Sequence, residues 1–154
     1  MIKIREYKES DASELWSIFY NTVRCVNIRD YTQEQVEAWA PDTFPFDIWQ
    51  QKMHEAQPFI AEIGNDIVGY ADLQENGLID YFYCHSEHQG KGVGRRLMER
   101  ILHFAESKGM AYFYSNVSIT ARPFYEKFGF KVTQEQRVQV RGQQLINFVM
   151  EKRI

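Results

Sequence analysis

The chain has 154 residues, a formal net charge of −3 and 44% hydrophobic residues, which suits one domain over residues 1–154 with one sizeable core. The mildly acidic balance argues against nucleic acid as a partner, because nucleic-acid-binding domains usually carry a basic face. No stretch is apolar for long enough to cross a membrane, and two cysteines do not make a disulfide framework, so we expect a cytoplasmic protein.

The predicted elements alternate between strands and helices. Capping-box spacings predict helix starts at Asp11, with Glu14, and at Thr32, with Gln35, and Asp47 is expected to cap a third helix. Strands are predicted at residues 2–7, 58–63, 67–74, 78–84, 111–117, 130–140 and 145–152. Later helices are predicted at residues 95–108 and 120–128. This order favours an α/β fold, a mixed sheet layered with helices.

A glycine-rich loop joins the strand at residues 78–84 to the helix that follows. Its sequence is Gln89-Gly90-Lys91-Gly92-Val93-Gly94. Three glycines at this junction let backbone N–H groups close around an anion at the positive end of the helix. Three cations also lie at the helix start, where the macrodipole disfavours them, and a bound polyanion would offset that conflict. They are Lys91, Arg95 and Arg96.

Two familiar phosphate loops fit this loop poorly. A P-loop requires Ser or Thr after Gly-Lys, and Gly92 stands there instead. A dinucleotide-binding fingerprint requires a third glycine where Arg95 stands, and an acidic residue at the end of the next strand, where Ser115 and Asn116 are found. A plain strand-to-helix connection is the remaining alternative to an anion site.

A second motif changes the interpretation. Gln89, Gly92 and Gly94 form Gln-x-x-Gly-x-Gly after a strand, and residues 121–130 read Ala-Arg-Pro-Phe-Tyr-Glu-Lys-Phe-Gly-Phe. In this order the two motifs resemble the GCN5-related N-acetyltransferase (GNAT) superfamily. The resemblance implies a mostly antiparallel central sheet flanked by helices. It also implies that the strands at residues 78–84 and 111–117 are parallel and splay apart to admit the cofactor.

That cofactor would be acetyl-coenzyme A, used as a co-substrate. The resemblance implies a pyrophosphate on the backbone N–H groups of the glycine loop and a pantetheine arm lying as an added strand beside the preceding strand. The residues implied are Phe82, Tyr83, Cys84, Gln89, Gly90, Lys91, Gly92, Val93, Gly94, Arg95 and Ser118. For Ser118, capping of the next helix is an equally expected role.

Tyr125 is the expected general acid, since the resemblance places its hydroxyl near the cofactor sulfur. The alternative is a core aromatic. No residue stands out as the base for the amine: Asp80 is taken as the candidate, Glu62 and Asp72 are alternatives, and each of the three could equally be a surface carboxylate of an alternating strand. The resemblance also implies that a main-chain N–H near Tyr83 or Cys84 binds the oxyanion.

Cys84 is predicted to be a packed thiol, because His85 points to the opposite face of the strand and cannot activate it. Direct attack by the amine in a ternary complex follows. The four histidines show no metal-ligand spacing with the cysteines, so no metal site is expected.

The acceptor is expected to be a primary amine of a small molecule or peptide. The family builds its acceptor pocket from the first helices and hairpin strands, which points here to an aromatic-rich region, with Tyr31 and Trp39 as the substrate-binding candidates. The region contains Phe19, Tyr20, Asn27, Tyr31, Trp39 and Phe44. Each could equally be core. A coenzyme A-binding regulatory module without catalysis is the alternative function, and a homodimer is compatible with the family.

Overall fold

The computed structural model describes all 154 residues and contains seven strands and five helices, with three short 3-10 turns. The strands are β1 (Ile2–Arg5), β2 (Phe59–Ile63), β3 (Asp66–Ala71), β4 (Phe82–Cys84), β5 (Tyr112–Ser118), β6 (Lys131–Val140) and β7 (Gln143–Arg153). The helices are α1 (Ala12–Cys25), α2 (Gln33–Trp39), α3 (Phe46–Ala56), α4 (Val93–Ser107) and α5 (Arg122–Lys127).

The strands form two antiparallel sheets, in the orders β1-β2-β3-β4 and β5-β7-β6. A short parallel contact joins them, where the backbone of Tyr114 accepts from the Ile79 N–H at 2.9 Å and donates to the Gly77 carbonyl at 3.0 Å. Beyond this point β4 and β5 form no backbone ladder. The predicted mixed α/β fold, with one splayed parallel pair, is confirmed.

Helices cover both faces of the first sheet because its strands alternate apolar side chains between the faces. Ala61 and Val68 belong to the core beneath α4, together with Leu97. Ile60 and Tyr70 face the other way, into the core beneath α1 and α3. Hydrogen bonds from buried rings fix this second layer, from Trp49 Nε1 to the Ala12 carbonyl at 2.8 Å and from the Tyr70 hydroxyl to the Leu15 carbonyl at 3.2 Å.

Two of the predicted caps form no side-chain capping bond. Asp11 is the N-cap residue of α1, as predicted, but its carboxylate accepts from the Lys8 N–H at 2.8 Å and pairs with Arg5 at 2.9 Å instead. Asp47 lies inside the first turn of α3, which begins one residue earlier after Pro45. The box at Thr32 is confirmed: its hydroxyl accepts from the Gln35 N–H at 3.1 Å, and the Gln35 side chain accepts in return at 2.8 Å.

The predicted strand at residues 78–84 is interrupted, and this is the main departure from the sequence pattern. Only β4 continues the ladder with β3, whereas residues 80–81 belong to neither sheet ladder. The return strand, predicted to run to residue 74, ends at Ala71. At the next residue, Asp72, the side-chain carboxylate accepts hydrogen bonds from the N–H groups of residues 80–81. Helix α4 begins at Val93, two residues before the predicted start.

Tyr31 belongs to a small core cluster between α1, α2 and β7. Its ring is buried, and its hydroxyl donates to the Ile146 carbonyl at 2.6 Å and accepts from the Ile119 N–H at 3.0 Å. The residue proposed from the sequence as a substrate contact therefore joins the segment before α2 to β7 and to the connection after β5.

Replacing Tyr31 by Phe should lower the free energy of unfolding by about 1–3 kcal/mol, because a buried N–H and a buried carbonyl both lose their partner. Urea denaturation measures the change. Tyr114→Phe is the matched control, since its hydroxyl accepts only from the exposed Asn76 side chain at 3.0 Å, and less than about 0.5 kcal/mol is expected there. Equal losses in the two variants would contradict a structural role for Tyr31.

Candidate active site

The splay between β4 and β5 opens a cleft of about 800 Å³. Residues from both sequence motifs line it. Every cofactor residue implied by the resemblance lines this cleft except Lys91, which is exposed outside it. Asp80, Tyr125 and Trp39 line it as well, whereas Tyr31 does not.

The glycine loop ends in a helix start that no side chain caps. Gly90 and Gly92 have φ angles of +74° and +84°, in the left-handed region that glycine adopts at little cost. Gly92 is the N-cap of α4, no side-chain hydrogen bond caps the helix, and its first turn holds no acidic residue. The first N–H groups of this 15-residue helix therefore face the cleft without a protein acceptor, as an anion site requires.

Gly94 also has a role in packing. A Cβ on Gly94 would lie 3.1 Å from the Phe124 ring and 3.5 Å from the Cys84 sulfur. The third glycine thus lets α4 approach α5 and β4 closely, a role that the sequence motif did not distinguish from anion contact.

Gln89 holds the loop against the end of β4. Its side-chain amide donates to the Cys84 carbonyl at 2.8 Å, and the Thr22 hydroxyl donates to the same carbonyl at 2.8 Å. Arg95 is exposed and lies 4.0 Å from Glu99. Further cations not identified from the sequence, Arg29 and Lys127, also line the cleft.

The backbone of β4 presents hydrogen-bonding groups to the cleft. Tyr83 pairs with Tyr70 of β3, and the His85 N–H donates to the Val68 carbonyl at 2.8 Å. Because successive residues of a strand direct their N–H and C=O to opposite sides, the N–H groups of Phe82 and Cys84 point away from β3 into the cleft.

Tyr125 lies at the closed end of the cleft with 3% of its surface exposed. Its hydroxyl is 3.3 Å from the Ser115 hydroxyl, and Ser115 donates its only proton to the Ile79 carbonyl at 2.7 Å. Tyr125 must therefore donate to Ser115. Burial raises the pKa of Tyr125 well above its ordinary value, so the phenol stays protonated and can act as a donor.

Sequence reasoning did not identify Ser115 as a site residue, although a signal was available. The buried face of β5 carries Phe113, Ser115 and Val117 in strict alternation. A single hydroxyl on an otherwise apolar buried face needs a hydrogen-bond partner. The Ser115 hydroxyl finds it in the Ile79 carbonyl, and so links β5 to the segment before β4.

Asp72 and Asp80 occupy different environments. Asp72 has no exposed surface, and one carboxylate oxygen accepts from the N–H groups of Asp80 and Tyr81, each at 2.8 Å. Burial raises the pKa of Asp72 to about 6, and these hydrogen bonds oppose the shift. Glu62, the other alternative base, pairs with Arg5 at 3.0 Å and does not line the cleft.

Asp80 is exposed at the rim, where it lines both the cleft and a second cavity of about 750 Å³ beside the end of α3. Partial desolvation raises the pKa of Asp80, and the nearby Lys52 opposes the shift. A carboxylate with a raised pKa at the junction of two cavities has the chemistry of a general base.

Cys84 has no activating partner. Burial raises the pKa of its thiol to about 12, and the neighbouring His85 ring accepts from the Glu87 N–H at 3.0 Å. No group of three or more His, Cys, Asp or Glu side chains is arranged to hold a metal ion, and no helix is both apolar and long enough to traverse a bilayer.

Ser118 and Trp39 complete the lining. The Ser118 hydroxyl accepts from the Ala121 N–H at 3.0 Å and from the Asn27 amide at 3.4 Å, so it caps the turn before α5 while facing the cleft. Trp39 lines the cleft on the side of α1 and packs edge-on against Tyr31. Phe19 and Phe44, also suggested from the sequence as acceptor contacts, pack on Trp16 beside the second core.

Comparison with known proteins supports the resemblance. The family model described as an acetyltransferase (GNAT) domain matches residues 27–152. YafP of Escherichia coli strain K12, named an uncharacterized N-acetyltransferase, is 31% identical over 149 residues, which cover 97% of this chain and 94% of YafP.

Solved structures agree on the fold. A GCN5-related N-acetyltransferase from Rhodopseudomonas palustris has a TM-score of 0.93 and 28% identity, over 99% of this chain and 95% of its own. The PaiA N-acetyltransferase from Thermoplasma acidophilum, in complex with coenzyme A, has a TM-score of 0.78 and 19% identity over 100% and 99%. YncA from Salmonella typhimurium, with acetyl-coenzyme A, has a TM-score of 0.72 and 20% identity over 99% and 94%. With a family model matching most of its length and a cleft built from both motifs, the chain belongs to the GNAT acetyltransferase family.

Proposed function

We propose that the chain, as a single domain over residues 1–154, transfers the acetyl group of acetyl-coenzyme A to a primary amine of a small molecule or peptide. One observation carries the proposal: the same cleft holds an uncapped helix start, an unpaired strand edge and a buried phenol donor. They belong to α4, β4 and Tyr125. Structural neighbours that contain coenzyme A or acetyl-coenzyme A support the choice of cofactor.

The cofactor's chemistry fits the groups that line the cleft. The N–H groups at the start of α4 would hold the pyrophosphate, with Arg95 as a nearby cation, and those of Phe82 and Cys84 would bind the pantetheine arm or the oxyanion. Acetyl-coenzyme A would supply the acetyl group as an activated thioester. Gln89 keeps the loop in place through the Cys84 carbonyl.

Asp80 would accept the proton that the ammonium form of the acceptor must lose before its nitrogen attacks the acetyl carbon. The carbon–sulfur bond then breaks, and Tyr125 would donate its proton to the departing thiolate. The attacking nitrogen loses its second proton as the amide forms, and a proton returned through solvent in the open cleft would restore the phenol. The raised pKa of Cys84 disfavours an acetyl-cysteine intermediate and supports direct attack in a ternary complex. Two unpaired cysteines, one of them exposed, are compatible with action in the reducing cytoplasm.

Two variants of Gly92 test the phosphate site. Asp and Asn both tolerate a left-handed backbone and have nearly the same shape, and the space around this residue is open. Calorimetric titration should give roughly 100-fold weaker binding of acetyl-coenzyme A to Gly92→Asp than to Gly92→Asn, because only Asp places a negative charge beside the pyrophosphate.

The ligand-free Asp variant should melt no earlier than the Asn variant, since an anion at a helix N-terminus is favourable. Equal affinities in two folded variants would contradict the loop assignment.

Tyr125→Phe should lower kcat by about 100-fold, because the thiolate would leave without its proton donor. The affinity for acetyl-coenzyme A should change by less than about threefold, since the lost interaction belongs to the transition state. Thiol release with a panel of primary amines measures turnover, and Tyr114→Phe is the matched control. Wild-type turnover in Tyr125→Phe would rule out the acid role. A wild-type protein that binds the cofactor but acetylates no amine would favour a regulatory coenzyme A-binding module.

Asp80→Asn should lower kcat/KM for the amine by about 100-fold and remove the acidic limb of its pH profile. A base must be unprotonated to act, so activity falls as pH drops through the raised pKa of Asp80 and this dependence disappears with the amide. The exposed Asp47 offers a control of the same type, Asp47→Asn, which should leave the profile intact. An unchanged acidic limb in Asp80→Asn would show that another group is the base.

A further inference from the structure

The segment between the parallel contact and β4 changes the side to which its backbone points. In a regular strand the N–H and C=O of one residue face the same side, and alternate residues repeat it. Ile79 faces β5 with both groups, because its N–H donates to the Tyr114 carbonyl at 2.9 Å and its carbonyl accepts from Ser115 at 2.7 Å. A regular strand would direct Tyr81 toward β5 in the same way.

Tyr81 instead faces β3. Its carbonyl accepts from the Asp72 N–H at 3.1 Å, and its N–H donates to the Asp72 carboxylate at 2.8 Å. The Asp80 N–H donates to the same carboxylate oxygen at 2.8 Å. Two consecutive N–H groups therefore face one side, which is the signature of an inserted residue, a β-bulge.

The bulge determines which backbone N–H groups and side chains face the cleft. Downstream of the bulge, Phe82 and Cys84 present their N–H groups to the cleft, whereas an unbulged strand would present those of Tyr81 and Tyr83. Side chains are exchanged as well: the Phe82 ring lies 5.9 Å from the Tyr125 ring, and Tyr81 packs against Trp49 on the opposite face at 6.1 Å.

We propose that Asp72 is a positioning residue: its buried carboxylate holds the N–H groups of Asp80 and Tyr81 and so fixes the bulge that aims Phe82 and Asp80 at the reaction centre. Without the Asp72 carboxylate, the N–H groups of Asp80 and Tyr81 would lose their acceptor beside a fully buried position. A regular strand without the bulge would then compete with the observed conformation. The inference rests on the proposed function for its catalytic consequence, but the backbone geometry can be tested by itself.

Two substitutions of Asp72 distinguish its role as a hydrogen-bond acceptor from the effect of its negative charge. Asp72→Asn keeps an oxygen that can accept both N–H groups, so kcat should stay within about threefold of wild type. Asp72→Leu is branched at the same carbon but has no acceptor, so kcat should fall by about 100-fold through misplacement of the reacting groups. Asp66→Asn, at the other end of β3 and exposed, is the control and should leave kcat unchanged.

Amide hydrogen exchange followed by NMR distinguishes a local change at the bulge from a general loss of stability. In Asp72→Leu the amides of Asp80 and Tyr81 should lose protection while those of β6 and β7 keep it. If this variant fails to fold, Asp72→Ser, whose hydroxyl is too short to hold both N–H groups, should show the same local loss with a roughly tenfold lower kcat.

Full kcat with unchanged protection in a folded Asp72→Leu or Asp72→Ser variant would overturn the proposal, as would an Asp72→Asn variant as impaired as Asp72→Leu. If wild type acetylates no amine, the proposed function fails, whereas local loss of protection in Asp72→Leu would still support the control of the bulge by Asp72.

Discussion

The divergence of β4 from β5 is the constraint on which the rest of the site depends. A strand edge buried inside a protein must satisfy its N–H and C=O groups, and here the edge of β4 lines an open cleft instead. The fold tolerates this because hydrogen bonds hold the strands together only up to Tyr114 and Ser115. Beyond these residues the unpaired edge is available to an extended ligand arm.

The two ends of the cleft differ in their electrostatic character. At its open end the backbone of α4 supplies partial positive charge without a capping carboxylate, which suits a polyanion. At its closed end burial favours the neutral forms of Tyr125 and Cys84, and the phenol keeps its proton in a hydrogen bond to Ser115. The two ends of the cleft thus match, in charge, the two ends of the proposed coenzyme A thioester.

Much of this could be predicted from the sequence. The two motifs identified the cleft residues, because glycines with a required backbone shape and a short aromatic helix are local signals. The bulge was not predicted, because residues 78–84 read as one continuous strand and the acceptor that interrupts it, Asp72, lies elsewhere in the chain, just after the end of β3. Tyr31 was misplaced for a related reason: an aromatic hydroxyl near a predicted pocket looks the same in sequence whether it meets a ligand or two backbone groups.

Calorimetric titration of the ligand-free chain with acetyl-coenzyme A tests the central claim most directly, with dephospho-coenzyme A and ATP as comparison ligands. The account predicts one binding site per chain, with dephospho-coenzyme A retaining most of the affinity because it keeps both the pyrophosphate and the pantetheine arm. ATP, which lacks the arm that pairs with β4, should bind far more weakly. No binding of acetyl-coenzyme A by the folded protein, or equal binding of ATP, would contradict the assignment of the cleft.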